Sequence, residues 1–243
     1  MRCVGCTDIG TKRKNNQDTF RIAETDSYAY AVVCDGMGGA KGGSTASSLA
    51  ADVFARDLHS KLKKKKSLLT SGDLRRILVN ALAEANRAVF ELAVSDPELD
   101  GMGTTLVAFL DVKNGKTAVI NIGDSRIYAL KNGVLSQISK DHSFVQFLVD
   151  SGAITREEAR SHPNRNIIIR AVGINEEAEG DIFFTDGYDL LLMCTDGLTN
   201  ILSEDEITGL LCDETDIDSK CEKLVALANS KGAGDNITVV IYG

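Results

Sequence analysis

Five aspartates stand where a carboxylate is well placed to do chemistry, beside apolar segments that read as strands. Asp35 follows the run Tyr-Ala-Tyr-Ala-Val-Val-Cys at 28–34, Asp196 follows the run at 189–194, and each is itself followed by glycine. Asp124 lies between two strand-like segments, Asp235 directly before another, and Asp18 ends a polar loop, Arg-Lys-Asn-Asn-Gln-Asp at 13–18. A carboxylate at the rim of a sheet is rigid from below and open to solvent above. Several converging would form a hard, oxygen-rich site suited to Mg²⁺ or Mn²⁺. A glycine beside such a ligand lets the backbone approach the ion, so that its carbonyl can also serve. Taken singly, each Asp-Gly is more often a turn dipeptide than a ligand. The spacing, which covers most of the chain, does not by itself bring the five together.

Other chemistries are excluded by spacing. A Walker loop needs Gly-Lys before Ser or Thr, whereas Gly-Gly-Ala-Lys-Gly-Gly-Ser at 38–44 puts lysine before glycine. A dinucleotide fingerprint starting at Gly36 and Gly38 would need glycine at position 41, which is Lys41. No Gly-x-Ser-x-Gly elbow is present, and His59, His142 and His162 leave a Ser-His-Asp triad few options. Cys3 and Cys6 form a lone Cys-x-x-Cys without the second half that a zinc site requires, and Cys34 and Cys194 read as buried thiols inside apolar runs.

The elements that must position the aspartates follow from periodicity. Segments 104–110 and 116–122 flank Asn114-Gly115, and 126–130 and 134–138 flank Asn132-Gly133; both read as hairpins. Further strands are expected at 28–34, 189–194 and 236–242. Apolar residues at helical spacing predict helices over 43–60, 73–95 and 217–231, with Ser-Gly-Asp-Leu at 71–74 offering caps for the second. Strand and helix blocks segregate, which favours α+β layers over a doubly wound parallel sheet.

With 35 acidic and 27 basic residues, the net charge of −8 argues against a general nucleic-acid binder. No stretch approaches the ~18 apolar residues of a membrane span. The N-terminal segment lacks the apolar core of a signal peptide, so a cytoplasmic location is expected. The run Lys61–Lys66, with Leu62 between its lysines, reads as a solvated helix end or, alternatively, as a docking patch for acidic partners.

Taken in order, the motifs resemble the bacterial branch of the PPM, or PP2C-type, protein phosphatase family. They are 13–18 as above, Asp-Gly-Met-Gly-Gly (35–39), Gly-Met-Gly-Thr-Thr (101–105), Asn-Ile-Gly-Asp-Ser-Arg (121–126), Lys-Asp-His-Ser (140–143), His-Pro-Asn-Arg-Asn (162–166), Arg-Ala-Val-Gly (170–173), Cys-Thr-Asp-Gly-Leu (194–198) and Gly-Asp-Asn-Ile-Thr (234–238). The resemblance runs essentially end to end. It implies a four-layer α-β-β-α sandwich, two antiparallel sheets flanked by helices, as one domain over 1–243 with a flap at about 143–169.

It also implies a function: hydrolysis of phosphoserine and phosphothreonine in phosphorylated proteins by a metal-bridging water, opposing a bacterial Ser/Thr kinase, by a monomer. A pseudophosphatase of the same fold, acting as a regulatory module, is the alternative. Two Mn²⁺ or Mg²⁺ ions are implied on Asp18, Asp35, the Gly36 carbonyl, Asp196 and Asp235, with Asp35 bridging, and a third, weaker ion on Asp124 and Asp196. Arg13 matches the arginine that grips the substrate phosphate, so Arg13 and Asp35 are the implied catalytic pair. His162 and Arg165 of the flap are expected to reach substrate, and His142 to hold the flap base. One departure concerns the proton donor: the histidine that relatives place after these glycines, or directly after Asp-Gly, is replaced here by Ala40 and Met37. The expected donor is then a metal-bound water, with His162 assisting.

Overall fold

The computed structural model describes residues 1–64 and 69–243, apart from the side chains of Ala40 and Lys64. The chain begins with strands β1 (Cys3–Asp8), β2 (Asp18–Glu24) and β3 (Ala29–Met37), then helices α1 (Gly39–Lys64) and α2 (Ser71–Ser95) and a short 3₁₀ turn at Pro97–Leu99. Strands β4 (Gly103–Thr104), β5 (Leu106–Asp111), β6 (Thr117–Ile122), β7 (Arg126–Lys131) and β8 (Val134–Gln137) follow. Two short helices come next, α3 (Phe144–Asp150) and α4 (Arg156–Ser161), then β9 (Asp181–Thr185) and β10 (Leu190–Cys194). Helices α5 (Asp196–Thr199), α6 (Glu204–Leu211) and α7 (Ile217–Ser230) precede the last strand, β11 (Ile237–Tyr242).

The strands form two antiparallel sheets, ordered β1-β11-β10-β7-β8 and β2-β3-β5-β6-β9, with β4 paired to β3. Strand β3 shows how they stack. Ala29, Ala31 and Val33 join Val107, Phe109, Met193, Val240 and Tyr242 in a core between the sheets. The alternate residues, Tyr30, Val32 and Cys34, pack instead with Phe54, Leu58, Leu78 and Leu82 of α1 and α2. A strand buried on both faces is apolar throughout, and its period of two divides it between two cores. On the far side of the other sheet, Leu192, Cys194, Val239 and Ile241 pack against Ile207, Leu211, Cys221 and Leu224 of α6 and α7. The expected α-β-β-α sandwich is therefore the fold, and each buried aliphatic or aromatic side chain contributes about 1.5–3 kcal/mol to it.

Several local expectations change. Only the second hairpin has the tight turn its Asn-Gly implies: Lys131 pairs with Val134, and Asn132 and Gly133 have φ of 51° and 77°. In the first, Asp111 pairs with Thr117, so the connection runs over 112–116 and the positive φ falls at Lys113 and Gly115 rather than at Asn114. Helix α2 is capped by Thr70, whose hydroxyl accepts from Asp73 N while the Asp73 carboxylate accepts from Thr70 N, one residue before the expected cap. Cys3 packs into the core between the sheets and Cys6 into the outer one. Three residues apart on a strand, they point to opposite faces, which ends the zinc reading. Lys65 and Lys66 of the basic run lie outside the described residues; Lys61 pairs with Asp57 at 2.6 Å.

Phe109 ties the sheets together, fully buried and stacked on Tyr242 with ring centroids 4.8 Å apart. Phe109→Ala is expected to cost about 3–5 kcal/mol, read as a lower urea midpoint with an unchanged m-value.

Candidate active site

The two sheets bring their aspartates to one end of the sandwich. Asp18 opens β2 and stands directly opposite Asp35 of β3 in the strand register. Strand β3 does not stop before Asp35 but continues to Met37, with Gly36 paired to Thr104. Asp124 sits in the loop between β6 and β7, Asp196 begins α5 after β10, and Asp235 lies just ahead of β11. Arg13, Asp35, Gly36, Asp124, Asp196 and Asp235 all line one pocket of about 440 Å³. Asp18 lies buried behind Asp35. The seven residues that the resemblance assigns to metal and phosphate thus lie at one end of the sandwich.

The local backbone explains the placement. A Cβ on Gly36 would lie 2.0 Å from the Gly43 carbonyl oxygen, so only glycine allows the first turn of α1 to close over the end of β3. The Asp35 N–H donates to Thr105 Oγ1 at 2.9 Å, and the Asp35 carbonyl accepts from Thr105 N at 2.9 Å and Thr104 Oγ1 at 2.8 Å. The Thr195 hydroxyl donates to Asp18 Oδ2 at 2.8 Å while accepting from Thr238 N at 3.0 Å, which joins the two sheets beneath the pocket. Asn200 Nδ2 holds Asp196 Oδ2 at 2.9 Å.

Burial, and then crowding, makes these carboxyl groups weaker acids. Burial, and then the neighbouring charges of Asp18, Asp196 and Asp124, pushes Asp35 well above the ordinary carboxylate range. Burial and Asp196 do the same to Asp124. Asp18 is raised to about 7, chiefly by burial, and Asp196 to about 6 by burial and Asp235. The Oδ1 atoms of Asp18, Asp124 and Asp196 are buried without a hydrogen-bond partner among the described residues. An unpaired buried carboxylate oxygen is expensive unless a cation answers it. Among the described residues no group of His, Cys, Asp and Glu side chains is by itself arranged to hold a metal ion. A hard cation here would therefore also draw on the Gly36 carbonyl and on water, as Mg²⁺ commonly does.

Arg13 Nη2 donates to Asp235 Oδ2 at 2.7 Å, and this bond leads the causes that raise the arginine's pKa. Its salt bridge and its place in the pocket are one arrangement. Asn236, not singled out from sequence, fastens the Arg13 loop: its Oδ1 accepts from Gln17 N at 2.8 Å, and its Nδ2 donates to the carbonyls of Ile9 and Asn15 at 2.9 and 3.1 Å.

Residues 143–169 carry α3 and α4, and an antiparallel bridge from Ser143 to Ile168 closes the segment at its base. His142 sits buried at that base, with Nδ1 accepting from Gly123 N at 3.2 Å and its backbone accepting from Ile169 N at 2.8 Å, as expected of a structural histidine. The segment meets the pocket through Asn166 and Ile168. His162 and Arg165, the expected contacts, are engaged elsewhere. His162 Nδ1 accepts from Asn164 N, its ring lies 6.1 Å from that of Phe144, and Arg165 bonds the Arg160 carbonyl. The Asn164–Arg165–Asn166 turn directs position 166 to the pocket, a detail that no spacing in the sequence announces.

Residues 10–233 match the protein phosphatase 2C family, and the chain belongs to that family. Over 238 residues it is 38% identical to the serine/threonine phosphatase stp of Listeria welshimeri, across 97% of this chain and 92% of the relative. The crystal structure of serine/threonine phosphatase Stp1 from Staphylococcus aureus superposes with a TM-score of 0.89 at 35% identity, covering 98% of this chain and 93% of that one. The catalytic domain of the phosphatase PstP, in complex with two manganese ions, superposes with a TM-score of 0.83 at 33% identity, covering 99% and 96%.

The raised carboxylates set a pH dependence. An unfolded aspartate ionises near pH 4, whereas folded Asp196 and Asp18 keep their protons up to about 6 and 7. The folded state binds more protons across that window, so its stability falls as pH rises through it. Without divalent cations, Tm is expected to be highest near about pH 5 and to decline towards pH 8. Asp35→Asn should raise Tm by several degrees at about pH 8 and hardly at about pH 5; a slope unaltered by the substitution would contradict this electrostatic picture.

Proposed function

We propose that this pocket hydrolyses phosphoserine and phosphothreonine in proteins, with Asp18, Asp35, the Gly36 carbonyl, Asp196 and Asp235 holding two Mn²⁺ or Mg²⁺ ions and Asp124 and Asp196 a weaker third. The chain is a PP2C-type serine/threonine protein phosphatase, and the observation that supports the metal assignment is the set of partnerless buried oxygens on Asp18, Asp124 and Asp196. Cations held by these residues would supply Lewis-acid chemistry, lowering the pKa of water and offsetting phosphoryl charge. The chain's own residues do the rest. Asp35, held by its backbone on Thr104 and Thr105, keeps a rigid carboxylate at the pocket floor. Arg13 has one nitrogen on Asp235, and its planar fork retains donors for phosphate oxygens. Residues 143–169 act as the flap through Asn166 and Ile168.

Among the described residues no histidine lines the pocket. The proton for the leaving oxygen is accordingly drawn from water. The complete acidic set disfavours a pseudophosphatase. The partners are phosphorylated proteins, among them those modified by a Ser/Thr kinase that this enzyme opposes as a monomer in the cytoplasm. No described helix is long and apolar enough to cross a membrane.

Chelation is expected to abolish release of phosphate from a phosphothreonine peptide, and Mn²⁺ or Mg²⁺ to restore it. Asp35→Ala and Asp196→Ala should each lose turnover and Mn²⁺ binding by calorimetry while remaining folded by circular dichroism. Turnover persisting in either variant would refute the ligand assignment. Arg13→Ala should lower kcat/KM by roughly ten- to a hundredfold, the equivalent of about 1.5–3 kcal/mol for a charge-assisted contact. Arg13→Lys should recover only part of that loss, because it lacks the fork.

A further inference from the structure

Three consecutive cations, Lys12, Arg13 and Lys14, lie on the loop before β2, and each faces something different. Lys12 lies along Gly234, where an added Cβ would meet its Cδ at 3.4 Å. Arg13 is held on Asp235. Lys14 lines the pocket and has no hydrogen bond or ion pair among the described residues. Some lysines pair with acids, as Lys41 does with Glu98 and Lys140 with Asp150, and others such as Lys116 and Lys220 have no ion pair among the described residues, but of the described lysines only Lys14 lines the pocket. A lysine left without an acidic partner at the mouth of an active site is available to a ligand.

The wall contributed by the 143–169 segment differs in kind. It presents Asn166 and Ile168, an amide and an apolar side chain, with Ile167 and Ile169 exposed on either side. The site is therefore asymmetric, cationic on the Lys14 side and uncharged on the other. An extended polypeptide with its phosphoresidue in the pocket places its next side chains only about 3.3 Å per residue further along, within reach of a lysine stem. We propose that Lys14 is a specificity residue that reads a second anionic side chain, carboxylate or phosphate, flanking the phosphoresidue of the substrate. This rests on the phosphatase reading above.

The test compares kcat/KM for three phosphothreonine peptides that differ at the flanking positions: alanine, glutamate or a second phosphothreonine. Wild-type enzyme with Mn²⁺ is expected to favour one or both anionic peptides over the alanine peptide by about three- to tenfold, the size of a partly exposed charge contact. Preference for the glutamate peptide assigns a carboxylate, and preference confined to the diphosphorylated peptide assigns a second phosphate. Lys14→Ala should bring the ratio to about one, Lys14→Arg should keep it, and Lys14→Glu should invert it. The preference should also shrink between about 0.05 and 0.5 M salt, as screening requires. An anionic preference that survives Lys14→Ala overturns the inference. So does a Lys14→Ala loss of equal size on all three peptides and on p-nitrophenyl phosphate, because Lys14 would then hold the scissile phosphate itself. If wild-type enzyme hydrolyses none of the peptides, it is the phosphatase reading that falls.

Discussion

The structure is organised around the mutual repulsion of carboxylates that it will not let separate. Asp18 and Asp35 face one another across adjacent strands, an arrangement that destabilises a sheet when both residues are charged. Asp124 and Asp196 add further negative charge in the same partly dehydrated space, and the raised pKa values record the cost of burial first and of the neighbouring charges second. Nothing in the local sequence relieves this. In the metal-free protein protons supply part of the relief; on the metal assignment proposed above, bound cations would supply it at higher pH, so affinity for metal and strain in the metal-free protein would have the same origin. The three apolar cores of the sandwich make that tolerable, because they hold the backbone where the carboxylates would otherwise push it apart.

Rigidity reaches the site through small polar residues rather than through bulk. Thr104 and Thr105 fix the backbone of Asp35, and Thr105 Oγ1 lies 2.7 Å from Ser125 Oγ beside Asp124. Arg126, next along, forks onto Asp141 with Nε at 2.9 Å and Nη2 at 2.6 Å, which anchors the start of β7 to the base of the 143–169 segment. The Asp35 backbone and the Asp18 carboxylate thus rest on hydroxyls that are themselves bonded, and geometry survives the charge it carries.

Much of this was legible in the sequence. The long helices, the central strands and the second hairpin follow from periodicity and from Asn132-Gly133. The aspartates could be named, but not assembled, because residues as far apart as Asp18 and Asp235 meet only through sheet order. The short helices of 143–169 escaped because Phe144–Asp150 and Arg156–Ser161 span too few turns to show a period. β1 and β2 escaped for a different reason: their residues are mostly half-buried and mixed in polarity, so neither alternation nor an apolar run marks them. The side chains that the 143–169 segment gives to the pocket were not legible either. His162 and Arg165 are the reactive residue types of the segment, but they bond locally, and Asn166 and Ile168 line the pocket.

The pairing of β1 with β11 has a temporal consequence. Strand β11 lies between β1 and β10, so an interior place in one sheet is filled by the last strand of the described residues. Asp235 and the Asn236 latch on the Arg13 loop arrive with it. On a ribosome, a nascent chain can therefore assemble the helices and the sheet that carries Asp18 and Asp35 long before its pocket exists. Arg13 waits on an unfastened loop until the final strand inserts. The pocket is therefore the last part of the described fold to close, since Asp235 meets Arg13 only once β11 is in place.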